Sequence, residues 1–164
     1  MAEQQPAVDK QLAISKIYVK DFSFESPQAP EIFKNTDWKP QTNLNLRSSH
    51  TVVEGNIHEV VLTITIEAKD DDKALFLVEL QQAGLFEIAG YEGEELSAIV
   101  GSFCPNILFP YARESVAAMI QKGGFPEFVL QPINFDALYM QSKQQQAESA
   151  AAAVSYTHLR AHET

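Results

Sequence analysis

The residues from Glu59 to Ala68 restrict what this chain can become more than any others. Val60, Leu62, Ile64 and Ile66 fall on one parity, and Thr63, Thr65 and Glu67 fall on the other. Successive side chains of a strand point to opposite faces, so this alternation predicts a half-buried antiparallel strand. An acidic turn, Lys69-Asp70-Asp71-Asp72-Lys73, leads into Ala74 to Leu80. There Phe76, Val78 and Leu80 face one way while Leu75, Leu77 and Glu79 face the other, and the two segments form a hairpin. Ala83-Gly84 then breaks the alternation ahead of Leu85-Phe86-Glu87-Ile88, the pattern of a bulge or sharp bend.

Upstream, Ile17 and Val19 occupy one parity and Phe22 and Phe24 the opposite one. The apolar face therefore switches near Lys20-Asp21, which predicts a bulge or a strand passing between two environments. A proline-bounded loop from Pro27 to Pro40 carries Ile32, Phe33 and Trp38, and Asn43 to Arg47 reads as a short fourth strand. From Glu94 the period becomes helical: Leu96, Ile99, Val100 and Phe103, then Ala112, Val116, Met119 and Ile120. Pro105 and Pro110 each remove a donor and crowd the preceding turn, giving one kinked helix or two helices joined over Cys104 to Phe109. Gly123-Gly124 ends the element, an extended segment follows to Ile133, and Asn134 caps a last helix with Asp136 in its first turn.

The fold class is thus α+β, a four-stranded antiparallel sheet with a long kinked helix and a shorter C-terminal helix. The expected divisions are a flexible N-terminus over 1–11, one domain over 12–147 and a disordered or non-native tail over 148–164, where an alanine run gives way to residues without a packing pattern. The long helix carries apolar residues on more than one stripe, which points to oligomerisation.

Composition narrows the function. Twelve Lys and Arg against 22 Asp and Glu leave a net charge of −10 with no basic run, so nucleic acid is a poor partner. Cys104 is the only cysteine, which fits a reducing cytosol, and no run of about 18 apolar residues suggests a membrane span. Gly-rich phosphate loops, metal-ligand spacings and nucleophile elbows are missing from the sequence. Cys104 beside Pro105 reads as a small packed group, with a thiol-imidazole pairing to His50 or His58 as the catalytic alternative. His50 and His58, in an expected loop and strand start, read as surface or structural histidines rather than a metal site. Asp70 to Asp72 reads as a solvated turn, because an EF-hand needs alternating oxygen ligands and a closing Glu. Phe33, Trp38, Phe109, Phe128 and Phe135 complete a core or line a surface, and their place among proline-punctuated loops favours the surface.

Four segments together resemble the SecB family of bacterial protein-export chaperones. They are Tyr18-Val19-Lys20-Asp21-Phe22-Ser23-Phe24-Glu25-Ser26-Pro27, Gly84-Leu85-Phe86-Glu87-Ile88-Ala89-Gly90, Cys104-Pro105-Asn106-Ile107-Leu108-Phe109-Pro110-Tyr111-Ala112-Arg113-Glu114 and Asn134-Phe135-Asp136-Ala137-Leu138-Tyr139. Their order covers roughly residues 12 to 147. The resemblance implies a homotetramer built as a dimer of dimers, without enzymatic activity or cofactor, working in the cytoplasm without inserting into membranes. It implies that unfolded precursor polypeptides are held for the SecA motor ATPase. Carried over by position, partner docking falls on Asp21, Glu25, Leu77 and Glu79, and client binding on Phe24, Phe33, Trp38, Phe109, Phe135 and Leu138. Parity independently places Asp21 with Glu25, and Leu77 with Glu79.

Two other readings stand beside this one. The first is an enzyme or small-ligand carrier with Cys104 as its reactive group. The second is a SecB-like chaperone dedicated to an antitoxin rather than to general export.

Overall fold

The computed structural model describes residues 9–161, with side chains as far as Ser149. Of the flexible segment expected over 1–11, residues 1–8 lie outside the described residues, as do 162–164 of the expected tail. Four strands come first: β1 (Gln11–Glu25), β2 (Gln41–Glu54), β3 (Ile57–Asp70) and β4 (Lys73–Ala89). A helical run follows as α1 (Gly93–Ala98), a π-turn (Ile99–Phe103) and α2 (Cys104–Lys122), and the described chain ends in α3 (Phe135–Ala161). The sheet is antiparallel with order β1-β4-β3-β2.

Hairpins with two-residue turns set the register. Gly55 joins β2 to β3 at a φ of 55°, and Asp71 joins β3 to β4 at 52°. This left-handed conformation matches the twist of adjoining strands, and Gly and Asp tolerate it. Asp70 to Asp72 thus form a hairpin turn.

β1 carries two bulges. Ile14 pairs with Phe86 and Lys16 with Leu85, leaving Ser15 unpaired, and Val19 pairs with Gln82 and Asp21 with Gln81, leaving Lys20 unpaired. The second accounts for the parity switch read from the sequence. With both in place, Leu12, Ile17, Phe22 and Phe24 all pack against the core although their numbering alternates in parity.

The expected break at Ala83-Gly84 is corrected: β4 runs straight through, with Gly84 opposite Ile17 on one side and Val60 on the other. Glycine is there for space. A Cβ at Gly84 would stand 2.7 Å from the Phe86 ring and 3.1 Å from Leu108 of α2, so its absence lets the helix settle onto the sheet. The short fourth strand is also corrected, since β2 extends to Glu54 and includes His50. As an edge strand it lies largely beyond the helical layer and is exposed along nearly its whole length. Residues 48–54 therefore needed no alternation and gave no strand signal.

The kinked helix is a single helical run over 93–122 with a π-turn in its first half, where the Cys104 N–H donates to Ile99 O, five residues back. Pro105 lacks an N–H and would press on the carbonyl four residues back, Gly101, which belongs to this widened turn. Leu108, Ala112, Val116 and Ile120 then descend onto Val60, Leu62, Ile64, Val78, Leu80 and Phe86, all of them buried. Each large side chain so buried contributes about 1.5–3 kcal/mol. Phe103 and Tyr111 stay exposed on the same helix. α3 continues through the alanine-rich stretch, whose helix propensity is the highest of any residue.

Gly84→Ala tests the close approach. Phe86 has no room to swing aside, so the added methyl group should cost about 1–3 kcal/mol, read as a lower urea midpoint at unchanged slope.

Candidate functional site

The six client-contact candidates gather in two places. At one end of the helical layer Phe24, Phe33 and Trp38 surround Phe125, with ring centroids 6.4, 5.4 and 5.2 Å away, and Phe76 joins them at 5.0 Å. The chain builds this cluster from three directions. Phe24 ends β1 with its ring against Gly123, where the lack of a side chain makes room. Phe33 and Trp38 come from the proline-bounded loop, which is closed by the Trp38 Nε1–H donating to Ile32 O at 3.1 Å. Phe125 leaves α2 just after Gly124, whose φ of 91° turns the chain. Trp38 is half-buried and Phe33 remains 37% exposed, so the cluster presents aromatic edges at the surface. Phe76 and Phe125 were not singled out from sequence; the position of Phe125 between a Gly-Gly helix end and Pro126 was the available signal.

Phe109, Phe135 and Leu138 form the second place. Phe109 and Phe135 meet edge to face at 5.6 Å and are both buried, Phe135 lining a cleft and Phe109 backing it. Leu138 is 42% exposed and opens onto a cleft of about 440 Å³ between β2 and α3, lined also by Leu46, Ser48, Gln141 and Gln145. The start of α3 holds this cleft in shape. Asn134 Oδ1 accepts from the Ala137 N–H at 3.0 Å as the expected cap. Tyr139 donates to Ser97 Oγ at 2.8 Å, Ser102 donates to Asp136, and Lys143 pairs with Glu94. Gly101 in the π-turn lies under the Tyr139 ring, which a Cβ there would approach to 2.6 Å.

Asp21, Glu25, Leu77 and Glu79 share the opposite, helix-free face of the sheet. Glu25 stands directly across from Leu77, Ser23 across from Glu79 and Asp21 across from Gln81, so the carboxylates flank Leu77 on neighbouring strands. Glu67 lies on the other side of Leu77, partly neutralised by Lys69 at 2.9 Å. Beside this patch Tyr18 and Lys20 reach across β4 to Glu59, with Lys20 Nζ at 2.8 Å. The Tyr18 phenol is pushed up to about 12, first by burial and then by its hydrogen bond to Glu59. Glu59 is held below the usual carboxylate range by hydrogen bonds from Lys20 and Tyr18. This trio is not legible in the sequence, since Glu59 lies 39 and 41 residues from its partners.

Carboxylates thus flank Leu77 on the open face, and aromatic rings and Leu138 lie on the helical face. Residues 3–146 match the family described as SecB, preprotein translocase subunit. The chain belongs to the SecB family. Relatives named protein-export protein SecB include that of Nitrosococcus oceani, 52% identical over 147 residues, covering 89% of this chain and 90% of that protein. That of Marinobacter nauticus is 47% identical over 157 residues, covering 92% and 94%. Among solved structures, a SecB-like chaperone of Mycobacterium tuberculosis in complex with an antitoxin peptide superposes with a TM-score of 0.63 at 17% identity, covering 74% of this chain and 90% of that one. At that identity the likeness speaks for the fold. SecB proteins are protein-export chaperones, and this chain is one by family. Among the described residues no helix is long and apolar enough to cross a membrane.

Within this SecB fold Cys104 lacks the exposure that a nucleophile needs. It is wholly buried under the helical run, and burial pushes its thiol up to about 12, which keeps it protonated at neutral pH. A native sample should accordingly leave Cys104 unmodified by an aromatic disulfide reagent over minutes, with one thiol per chain appearing in urea. Fast stoichiometric reaction of the folded protein would contradict this placement.

Proposed function

We propose that this protein holds unfolded precursor polypeptides without using ATP, keeps them competent for translocation and delivers them to the SecA motor from the cytoplasm. The observation that carries the reading is the separation of two kinds of surface on the two sides of one sheet. Aromatic rings and Leu138 open on the helical side, and carboxylates surround Leu77 on the other. A client and a partner then bind without competing for surface.

Phe24, Phe33 and Trp38 with the Phe109, Phe135 and Leu138 cleft are the client-binding residues in this proposal. An apolar client side chain entering either place gains about 1.5–3 kcal/mol before the cost of ordering the chain, and an apolar surface demands no particular sequence. Phe109 and Phe135 support the cleft from beneath, while Trp38, Phe33 and Leu138 meet the client. Exposed Phe103 and Tyr111 on the long helix favour a homotetramer, a dimer of dimers, because large apolar groups on a helix surface find cover across subunits. Repeated clefts on one particle would raise the avidity for a long unfolded chain through effective concentration.

Asp21, Glu25, Leu77 and Glu79 form the SecA-docking patch in this proposal, with carboxylates steering a basic partner surface onto an apolar centre.

An aggregation assay on a slowly folding precursor, run without nucleotide, tests the holding activity. Wild type should suppress aggregation, and Trp38→Ala with Leu138→Ala should weaken client affinity about tenfold or more while leaving the fold intact, since neither residue is fully buried. Failure of the intact protein to associate with any non-native chain would sink the reading. Docking is tested separately: Asp21→Lys with Glu79→Lys should weaken SecA binding and flatten its dependence on salt, with client binding retained. Equal loss of both activities would mean that the acidic face has been misassigned.

A further inference from the structure

His50 and His58, eight residues apart and read from sequence as surface or structural histidines, come together. His50 lies on β2 and His58 on β3, where the register sets His50 opposite Val60 and Val52 opposite His58. The imidazoles are diagonal neighbours on one face, with ring planes 15° apart, and His50 Nε2 stands 2.7 Å from His58 Nδ1. Two nitrogen donors therefore converge from adjacent strands of a rigid sheet. We infer that His50 and His58 form a two-imidazole chelate for a divalent transition-metal ion of the zinc class, stapling the edge strand β2 to β3.

Zinc–imidazole bonds of about 2.0–2.1 Å place two nitrogens of a tetrahedral site roughly 3.3–3.4 Å apart. The present separation must open by about 0.6 Å on that count, which a modest turn of the exposed His50 ring supplies. Protons balance without loss at neutral pH. Each neutral ring carries one proton, and the ring that donates in the hydrogen bond moves its proton to its other nitrogen. His50 then bears it on Nδ1 and His58 on Nε2, and both facing lone pairs turn to the metal. The side chains that share this face around them, Ser48, Val52, Val60 and Phe86, carry no charge, so no neighbouring cation competes for the site. Both rings are also shifted below the ordinary histidine range, His50 by partial desolvation against the sheet and by the charge of His58, and His58 by burial. His50 faces solvent, which leaves the remaining coordination positions to water. Imidazole donors without thiolates select zinc, nickel or copper over magnesium or calcium.

This inference is independent of the client and SecA readings. Its test uses the full chain with His158→Gln and His162→Gln, because those two histidines stand four apart in the sequence and would supply a second donor pair. Titration calorimetry with Zn²⁺ should show one ion per chain, and the thermal midpoint should rise with Zn²⁺ and fall back on adding EDTA. His50→Gln should lower the affinity about tenfold or more, together with the thermal response, and His58→Gln should do the same. His50 is exposed, so its variant keeps the test decisive even if the buried His58→Gln variant folds poorly. Binding should also fail at pH 5, where the imidazoles take up protons. No saturable Zn²⁺ binding, or binding unchanged in His50→Gln, would overturn the proposal and leave the pair as a hydrogen bond between strands.

Discussion

The contact between the β3–β4 hairpin and the 93–122 helical run holds the rest of the molecule in place. Val60, Leu62, Ile64 and Ile66 from one strand and Val78, Leu80 and Phe86 from the next make a continuous apolar floor, and Leu108, Ala112, Val116 and Ile120 cover it. A single helix spans about 10–12 Å, whereas four strands at 4.7–4.9 Å spacing are wider. The helix therefore covers the centre of the sheet and leaves its flank at β2 open, where α3 stands off to form a cleft. Surface available for polypeptide follows from a mismatch of widths between two layers.

Features generated by local alternation were legible in the sequence. The hairpin, the parity switch between Val19 and Phe22, the end of the long helix at Gly123-Gly124 and the Asn134 cap each rest on one or two neighbouring residues. Features set by what lies above or beside a segment were not. β2 looked like a short strand because an edge beyond the helical layer is free to be polar on both faces. Gly84 looked like a break because its purpose, room for Leu108 and the Phe86 ring, belongs to another element. The first bulge, at Ser15, was hidden because Ala13, Ile14 and Ser15 do not mark a face strongly enough to show a switch.

The site divides along the same line. Strand parity was enough to bring Asp21 to the side of Glu25 and Leu77 to the side of Glu79, and antiparallel pairing of β1 with β4 completed the patch. The aromatic residues were named one by one but could not be grouped, since their meeting depends on where a loop, a strand end and a helix exit converge. Phe109 and Phe135 are buried, one behind the cleft and one lining it, a distinction that depends on exposure. The meeting of His50 and His58 is hidden in the sequence because only the register of β2 against β3 brings Nε2 of one within 2.7 Å of Nδ1 of the other.

The paired bulges give β1 something like a reading frame. Each unpaired residue moves the strand by one position, so Leu12, then Ile17 and Val19, then Phe22 and Phe24 stay in phase with β4 only while both insertions are kept. Loss of a single residue between Lys16 and Val19 would invert every side chain on one side of the cut, exchanging carboxylates for phenylalanines between the two surfaces. A change of length in this strand would thus damage both surfaces at once, whereas the same change in the Pro27–Pro40 loop would be absorbed locally. Over evolutionary time, length variation is accordingly expected to be purged from the one and tolerated in the other.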